Sequence, residues 1–440
     1  MPERQSRFRW VLVAWMFVAS TVAYMDRVNI SVSGKAISSQ FHLSNIQLGY
    51  IFSAFLLGYA AFQVPDGWLA DRLGPRRMLA IAMAWWALFT ALTASVPAGL
   101  AGGLLLFVAI RFLLGAGEAS MYPSMNRAIA GWVPVPERGL ANGWIFAGVG
   151  LGAGIAPPLA VWILTHWGWR WSFWLSGVLG VIIAAGWYGL ARDDPRQHPR
   201  VSSAEAATIA AGIPALSPPG DSAPSALATA GRRNIVALSV SYFTYGYAAY
   251  IFFAWFFLYL NEARGMNLRT SAYYSVLPFL AMSVGSILGG LINDAVTRRW
   301  GGRRGRAGIA MTGMILAAAF IEMGSRVQSG GLASVVLAGG AGALYLSQSS
   351  FWSASADLGG RSAGTVSGIM NMGNQVGGAI TASLTPIIAA RLGWNASFSV
   401  AAALCLVGGL AWFFVNPQRA PPLQGAPAGG APVGGGSEVP

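Results

Sequence analysis

Gly67-Trp68-Leu69-Ala70-Asp71-Arg72-Leu73-Gly74-Pro75-Arg76-Arg77 follows one long apolar segment of the chain, and Gly290-Leu291-Ile292-Asn293-Asp294-Ala295-Val296-Thr297-Arg298-Arg299 follows another far downstream. Each stretch has a glycine, an aspartate four residues on, and then clustered arginines. An aspartate at a helix end can accept hydrogen bonds, while arginines favour one membrane surface. Two spaced copies imply an internal repeat, which in a membrane chain means two parallel bundles around a central cavity. The repeat marks Asp71, Arg72, Arg76, Asp294 and Arg298 as candidate gating residues.

Composition agrees with a membrane chain. Of 440 residues, 55% are hydrophobic and only 10% charged, against about 25% charged in a soluble domain. About twelve spans of bilayer length are expected, at 10–30, 46–69, 78–97, 101–122, 139–164, 169–191, 234–260, 272–293, 307–325, 332–353, 362–388 and 394–415. The first run leads directly into charges and does not read as a cleavable signal peptide. Six spans precede a Pro/Ala/Ser-rich stretch and six follow it. The expected organisation is a first six-helix bundle over 1–191, a cytoplasmic linker over 192–233, a second bundle over 234–416 and a disordered tail over 417–440. Within the linker, 202–213 can form a short amphipathic helix.

The net charge of +13 does not point to nucleic acid, because the basic residues sort by membrane side. Twenty of the 28 Lys and Arg lie at the N-terminus or in even-numbered loops, six lie on the other side, and two lie within spans. By the positive-inside rule both termini face the cytoplasm. His42, His166 and His198 fall in loops and Cys405 stands alone. Neither a metal-ligand cluster nor a nucleophile–base pair is legible, so an enzyme is not expected. No phosphate-binding loop points to nucleotide-driven transport.

Four charges lie inside spans: Asp26 and Arg27 in the first, Arg111 and Glu118 in the fourth. Each costs about 2.5–3.5 kcal/mol at mid-bilayer on an insertion scale, and opposite charges offset this by pairing or by lining a wet cavity. Such a set implies movement of something charged, with protons as the coupling ion. Adjacent helix positions point about 100° apart, so Arg27 is expected to face the cavity and Asp26 a neighbouring helix. Tyr24 shares the Arg27 face, and an arginine fork suits a carboxylate. Arg111 and Glu118 are two turns apart on one face, too distant to pair directly. Glu118 is the expected proton carrier, and Arg111 the group whose approach modulates it.

The second half has no charge inside its spans, so it is expected to supply neutral contacts. Asn371, Asn374 and Gln375 form one polar stripe, read either as partners for substrate hydroxyls or as interhelical glue. Tyr59 with Gln63, Tyr245, and Trp352 after the run Ser347-Gln348-Ser349-Ser350 are read either as substrate contacts or as packing. The glycines from Gly148 to Gly154 favour close helix approach.

Gly67–Arg77 resembles the signature loop of the major facilitator superfamily, with Pro75 where that family often has a basic residue. Tyr24-Met25-Asp26-Arg27-Val28-Asn29, Arg111 to Ala119, Trp171-Ser172-Phe173-Trp174 through Arg192-Asp193-Asp194-Pro195, and Val366 to Asn374 resemble its anion:cation symporter family. That family includes bacterial transporters of galactonate, glucarate and hexuronates and animal transporters of sialic acid and glutamate. The resemblance covers nearly all of residues 10–415. It implies an all-α, twelve-helix fold in two pseudo-symmetric bundles. It also implies that Arg27 anchors a substrate carboxylate, Asp26 is a protonatable switch, the acid at Glu118 couples protons, and contacts lie near Tyr59 and Trp352. The expected activity is proton-coupled symport of small organic anions, sugar acids above all, by a monomer in a bacterial inner membrane. It needs no cofactor beyond the proton gradient, and lipid and protons are its other partners. Anion exchange or uniport of aromatic or other carboxylates is the alternative, and a non-transporting sensor a further one.

Overall fold

The computed structural model describes residues 6–43, 45–100, 102–213, 230–256 and 259–417. Residues 214–229 of the expected linker and 418–440 of the expected tail lie outside them. The first half comprises α1 (Phe8–Phe41), α2 (Asn45–Leu73), α3 (Pro75–Ala94), α4 (Gly103–Glu118) with its continuation α5 (Met121–Trp132), α6 (Arg138–Trp167) and α7 (Trp169–Leu190). A short helix, α8 (Ser203–Gly212), lies in the linker. The second half comprises α9 (Arg232–Ala254), α10 (Leu268–Trp300), α11 (Ile309–Arg326), α12 (Gly330–Gly359), α13 (Ala363–Leu392) and α14 (Trp394–Ala411).

Among the described residues, ten helices are long and apolar enough to cross a membrane, α4 and α5 together making one of them. The other two expected spans are α2 and α13, of 29 and 30 residues. At about 1.5 Å per residue each exceeds the hydrocarbon thickness of about 30 Å. The outer surface carries half-exposed Leu105, Val178, Val181, Ile182, Val335 and Leu410, a belt that water would not tolerate and lipid does. Two boundaries differ most from the sequence reading. The first helix continues eleven residues past its expected end, to Phe41. The fourth span breaks at Ala119–Ser120 and resumes to Trp132, so Arg127 is helical and not in a loop.

The halves meet on the face that holds both described ends of the chain, and the repeated aspartates make contacts there. Asp71, at the end of α2, accepts from the amides of Gly364 and Thr365 at 2.9 and 2.8 Å, and from Thr365 Oγ1. Those amides are the second and third of α13. Asp294 of α10 accepts from the amides of Gly139 and Leu140, second and third of α6, at 2.8 and 2.6 Å. Each carboxylate thus satisfies orphan donors at the positive end of a helix in the other half. The backbones must touch for this. A methyl group on Gly290 would lie 2.4 Å from the Gly139 carbonyl oxygen, and one on Gly67 2.4 Å from that of Gly364. Arg306, fully buried, bonds Asp294 at 3.2 Å, Asp357 at 3.1 Å and the Val135 carbonyl at 2.6 Å, while Arg138 bonds Asp357 at 2.6 Å. Arg138 and Val135 belong to the first half, so this ion cluster also crosses the interface.

The linker folds back onto the same face. Residue Arg7 before α1 offers no side-chain cap, and Glu205 of α8 supplies one. Its carboxylate accepts from the Phe8 amide at 2.8 Å, the Arg9 amide at 3.1 Å, Arg9 Nη1 at 3.0 Å and Ser6 Oγ. The Phe8 ring stacks on His198 at 3.9 Å. Burial opposes ionisation of Glu205, but the bonds from Ser6, Phe8 and Arg9 outweigh it and hold its carboxyl below the usual glutamate value. A depressed carboxyl contributes docking stability that is complete above the ordinary value, about 4.3, and lost as pH falls through the folded one.

Two outcomes are expected. Relative to the intrinsic exchange rate at each pH, the amides of Phe8 and Arg9 in the purified protein lose protection once pH drops below the ordinary glutamate range, and Glu205→Gln reproduces this at neutral pH. Protection indifferent to both changes would mean that the linker does not hold α1. Gly290→Ala forces α6 and α10 apart at the closed face. Paired spin labels on those helix ends then report a larger share of long distances, and an unaltered distribution would show that the contact is not needed for closure.

Candidate functional site

Between the halves lies a narrow cavity of about 30 Å³. Tyr24 of α1, Tyr59 of α2, Tyr122 of α5 and Phe146 of α6 wall it on one side. The other wall is Tyr242, Tyr245, Ala249, Tyr250 and Phe253 of α9, Tyr345, Gln348 and Trp352 of α12, and Asn371, Asn374 and Gln375 of α13. Tyr24, Tyr59, Tyr245, Trp352, Asn371, Asn374 and Gln375 are therefore together on the wall. Among the described residues that line it, none is charged.

Arg27 stands directly behind Tyr24 and Tyr59. Its Nη1 donates to Tyr24 Oη at 3.2 Å, and its guanidinium lies 4.5, 5.0 and 5.1 Å from the ring centres of Tyr24, Phe55 and Tyr59. Its Nη2 bonds Glu118 Oε1 at 2.5 Å. The partner of Glu118 is thus Arg27, a pairing that the sequence reading did not propose. The two-turn spacing does keep Arg111 away: its guanidinium sits over Phe55 at 4.9 Å, so one ring carries both arginines. Asp26 points the other way, as adjacent helix positions must. Its Oδ2 accepts from Trp86 Nε1 at 2.9 Å and Thr90 Oγ1 at 2.7 Å, both on α3. Asp26 Oδ1, Arg27 Nε and Arg111 Nε are buried without a protein partner. Two arginines and two acids share one apolar region, so their formal charges cancel, which is what makes the set tolerable at membrane depth.

Gln63 is fully buried and off the cavity wall. Its Nε2 donates to the Ala119 carbonyl at 2.8 Å, at the break between α4 and α5, and its Oε1 accepts from Asn371 Nδ2 at 3.0 Å. It joins the halves through α13. Asn374 Nδ2 reaches Asn371 Oδ1 at 3.5 Å, and Tyr250 Oη donates to Gln375 Oε1 at 2.9 Å. Of the expected gating residues, Asp71 and Asp294 cap helices across the interface and Arg298 donates across it to the Pro136 carbonyl at 3.4 Å. Arg72 stacks on Trp68, and Arg76 bonds Asp193 and the Tyr188 carbonyl. None of these contacts reaches the second half.

Sequence reasoning missed two groups. Arg138, Arg306 and Asp357 read as members of basic loops and a span end, and only the fold brings them together. Tyr122, Tyr242, Tyr250, Phe253 and Tyr345 were not singled out. The signal available for α9 was its density of rings, with Tyr242, Tyr245, Tyr247 and Tyr250 inside nine residues.

Gln63→Leu is expected to leave the Asn371 amide and the Ala119 carbonyl unsatisfied. It lowers stability by about 1–3 kcal/mol, read by denaturant or thermal unfolding in detergent. A loss within error of zero would mean that neither bond contributes to holding the halves.

The Major Facilitator Superfamily model matches residues 16–382 and 359–437. A probable sulfoacetate transporter of Cupriavidus necator, SauU, is 33% identical over 425 residues, covering 94% of this chain and 95% of that protein. The chloroplastic ascorbate transporter of Arabidopsis thaliana is 30% identical over 92% of this chain and 74% of its own. The probable galactarate/D-glucarate transporter GudP of Bacillus subtilis is 30% identical over 67% of each. Among solved structures, the proton:xylose symporter XylE superposes with a TM-score of 0.72 at 15% identity, over 93% of this chain and 96% of that one.

Proposed function

This chain belongs to the Major Facilitator Superfamily, and we propose that it is a secondary transporter that carries small organic anions inward together with protons. The Arg27–Glu118 pair beside the Tyr24 and Tyr59 wall carries this reading. A substrate carboxylate that takes the Arg27 fork must displace Glu118. An unpaired carboxylate in an apolar region is costly, and the cost falls if it takes up a proton as it leaves its cation. One anion bound and one proton bound leave the charge of the cluster as it was. Asp26, held by Trp86 and Thr90 and facing the same arginines, is the second group that can take a proton. The loaded, charge-balanced cavity then lets the halves rock, with Asp71 and Asp294 releasing the helix ends they cap. The anions named for the relatives support the substrate class. The 20 to 6 split of basic residues supports cytoplasmic termini in a bacterial inner membrane, with the capped face inside.

The test is uptake by the purified protein in liposomes, across a panel of organic anions with and without an inward proton gradient. Arg27→Lys keeps the charge and loses the fork, and is expected to weaken binding about ten- to a hundredfold. Glu118→Gln mimics the protonated acid. It is expected to sustain counterflow between two anion pools while losing accumulation driven by the gradient. Gradient-driven accumulation that survives Glu118→Gln would assign the coupling proton to another group, and wild-type affinity in Arg27→Lys would remove the anchor.

A further inference from the structure

Resting on that reading, a second feature of the cavity narrows the substrate. Tyr242 Oη accepts two hydrogen bonds, from Gln348 Nε2 at 2.9 Å and Trp352 Nε1 at 2.8 Å. With its oxygen so occupied, its own proton must seek another acceptor. Gln348 Oε1, the amide's other end, has no partner, and neither have Tyr245 Oη and Tyr122 Oη. All four side chains are at least nine-tenths buried and line the cavity. A buried polar group left unpaired costs about 1–3 kcal/mol. Several of them gathered on one cavity wall are explained if the missing partner is the cargo.

The chemistry of this wall is specific. Its unpartnered groups are phenol hydroxyls and the Gln348 amide oxygen, and it carries no charge. A hydroxyl group matches it by accepting from a tyrosine while donating to Gln348, and a carbonyl oxygen can accept from the tyrosines. A second carboxylate fits poorly. It would face the Gln348 oxygen, and it would be desolvated with no cation on that wall. The two intramembrane arginines are already balanced by Asp26 and Glu118, and the one exchange of partners in the proposed cycle is at Arg27, behind Tyr24 and Tyr59. We propose that the cargo is a monocarboxylate whose far end carries an uncharged oxygen function, read by Tyr242, Tyr245 and Gln348, and that dicarboxylates of the same length are discriminated against.

The experiment uses matched trios of three to six carbons: a plain alkanoate, the same acid with a terminal hydroxyl, and the dicarboxylate. Hexanoate, 6-hydroxyhexanoate and adipate form the longest. Binding to the purified full-length protein is measured by calorimetry. The hydroxy acid is expected to bind about five- to tenfold tighter than the plain acid in the best-fitting trio, and the dicarboxylate at least about tenfold weaker than the hydroxy acid. Tyr245→Phe deletes a hydroxyl that makes no well-formed hydrogen bond in the protein and has the Tyr345 hydroxyl beside it, so little of the fold rests on it. It is expected to cut the preference for the hydroxy acid severalfold, and Tyr242→Phe is read beside it with its melting temperature. A dicarboxylate that binds as tightly as the hydroxy acid overturns this assignment and leaves the transport reading standing. So does an unchanged preference in Tyr245→Phe, which would mean that the wall is satisfied by water. If no anion of any trio binds, the transport reading falls and this assignment with it.

Discussion

Carboxylates placed against the exposed amides of a helix that belongs to another part of the chain hold this molecule together on its closed face. The first turn of any helix has donors that the helix cannot satisfy. Here Asp71 meets those of α13, Asp294 those of α6, and Glu205 those of α1. The device is local and polar. It needs close backbone approach but no shape-matched apolar core, and it can be made and broken without exposing large apolar surface. That suits an interface which, on the proposed cycle, opens in every turnover.

A second constraint is the presence of charge in a lipid-facing bundle. Four ionised groups are tolerable because they sum to zero and because aromatic rings separate the like charges. Phe55 offers its ring to both Arg27 and Arg111, a cation–π contact that keeps two guanidinium groups near one another without a carboxylate between them. Trp86 and Thr90 give Asp26 hydrogen bonds in place of a cation. Arg27 and Glu118 form the close ion pair of the set, while Asp26 and Arg111 rest on neutral neighbours, so the cluster is not two closed ion pairs.

The architecture was legible from particular residues. The repeated Gly and Asp of Gly67–Arg77 and Gly290–Arg299 indicated two halves, and run lengths indicated the spans. The divergent directions of Asp26 and Arg27 followed from helix geometry alone. Partner identity did not. That Glu118 pairs with Arg27 and not with Arg111 depends on how α1 sits against α4, which no periodicity records. Gln63 was read from its face-sharing with Tyr59, yet a break at Ala119–Ser120 turns it toward an unsatisfied carbonyl. Pro123, four residues after Ala119, has no amide hydrogen for that carbonyl, a mark of the break that the run-length reading passed over. The aromatic wall from α9 was hidden for another reason: in an apolar segment, rings that face a cavity and rings that face a neighbour have the same spacing.

The two bonds of Gln63 have a consequence for fidelity. One hand of this amide holds the carbonyl that follows Glu118 at the end of α4, and the other holds Asn371 across the interface. The acid proposed to take the proton and the joint between the halves are therefore mechanically in series, one side chain apart. How tightly proton movement is geared to conformational change, and how little the carrier slips by cycling with one cargo and not the other, becomes a property of that neutral linkage as much as of the carboxylate. A carrier of this design can be made leaky without touching any charged residue.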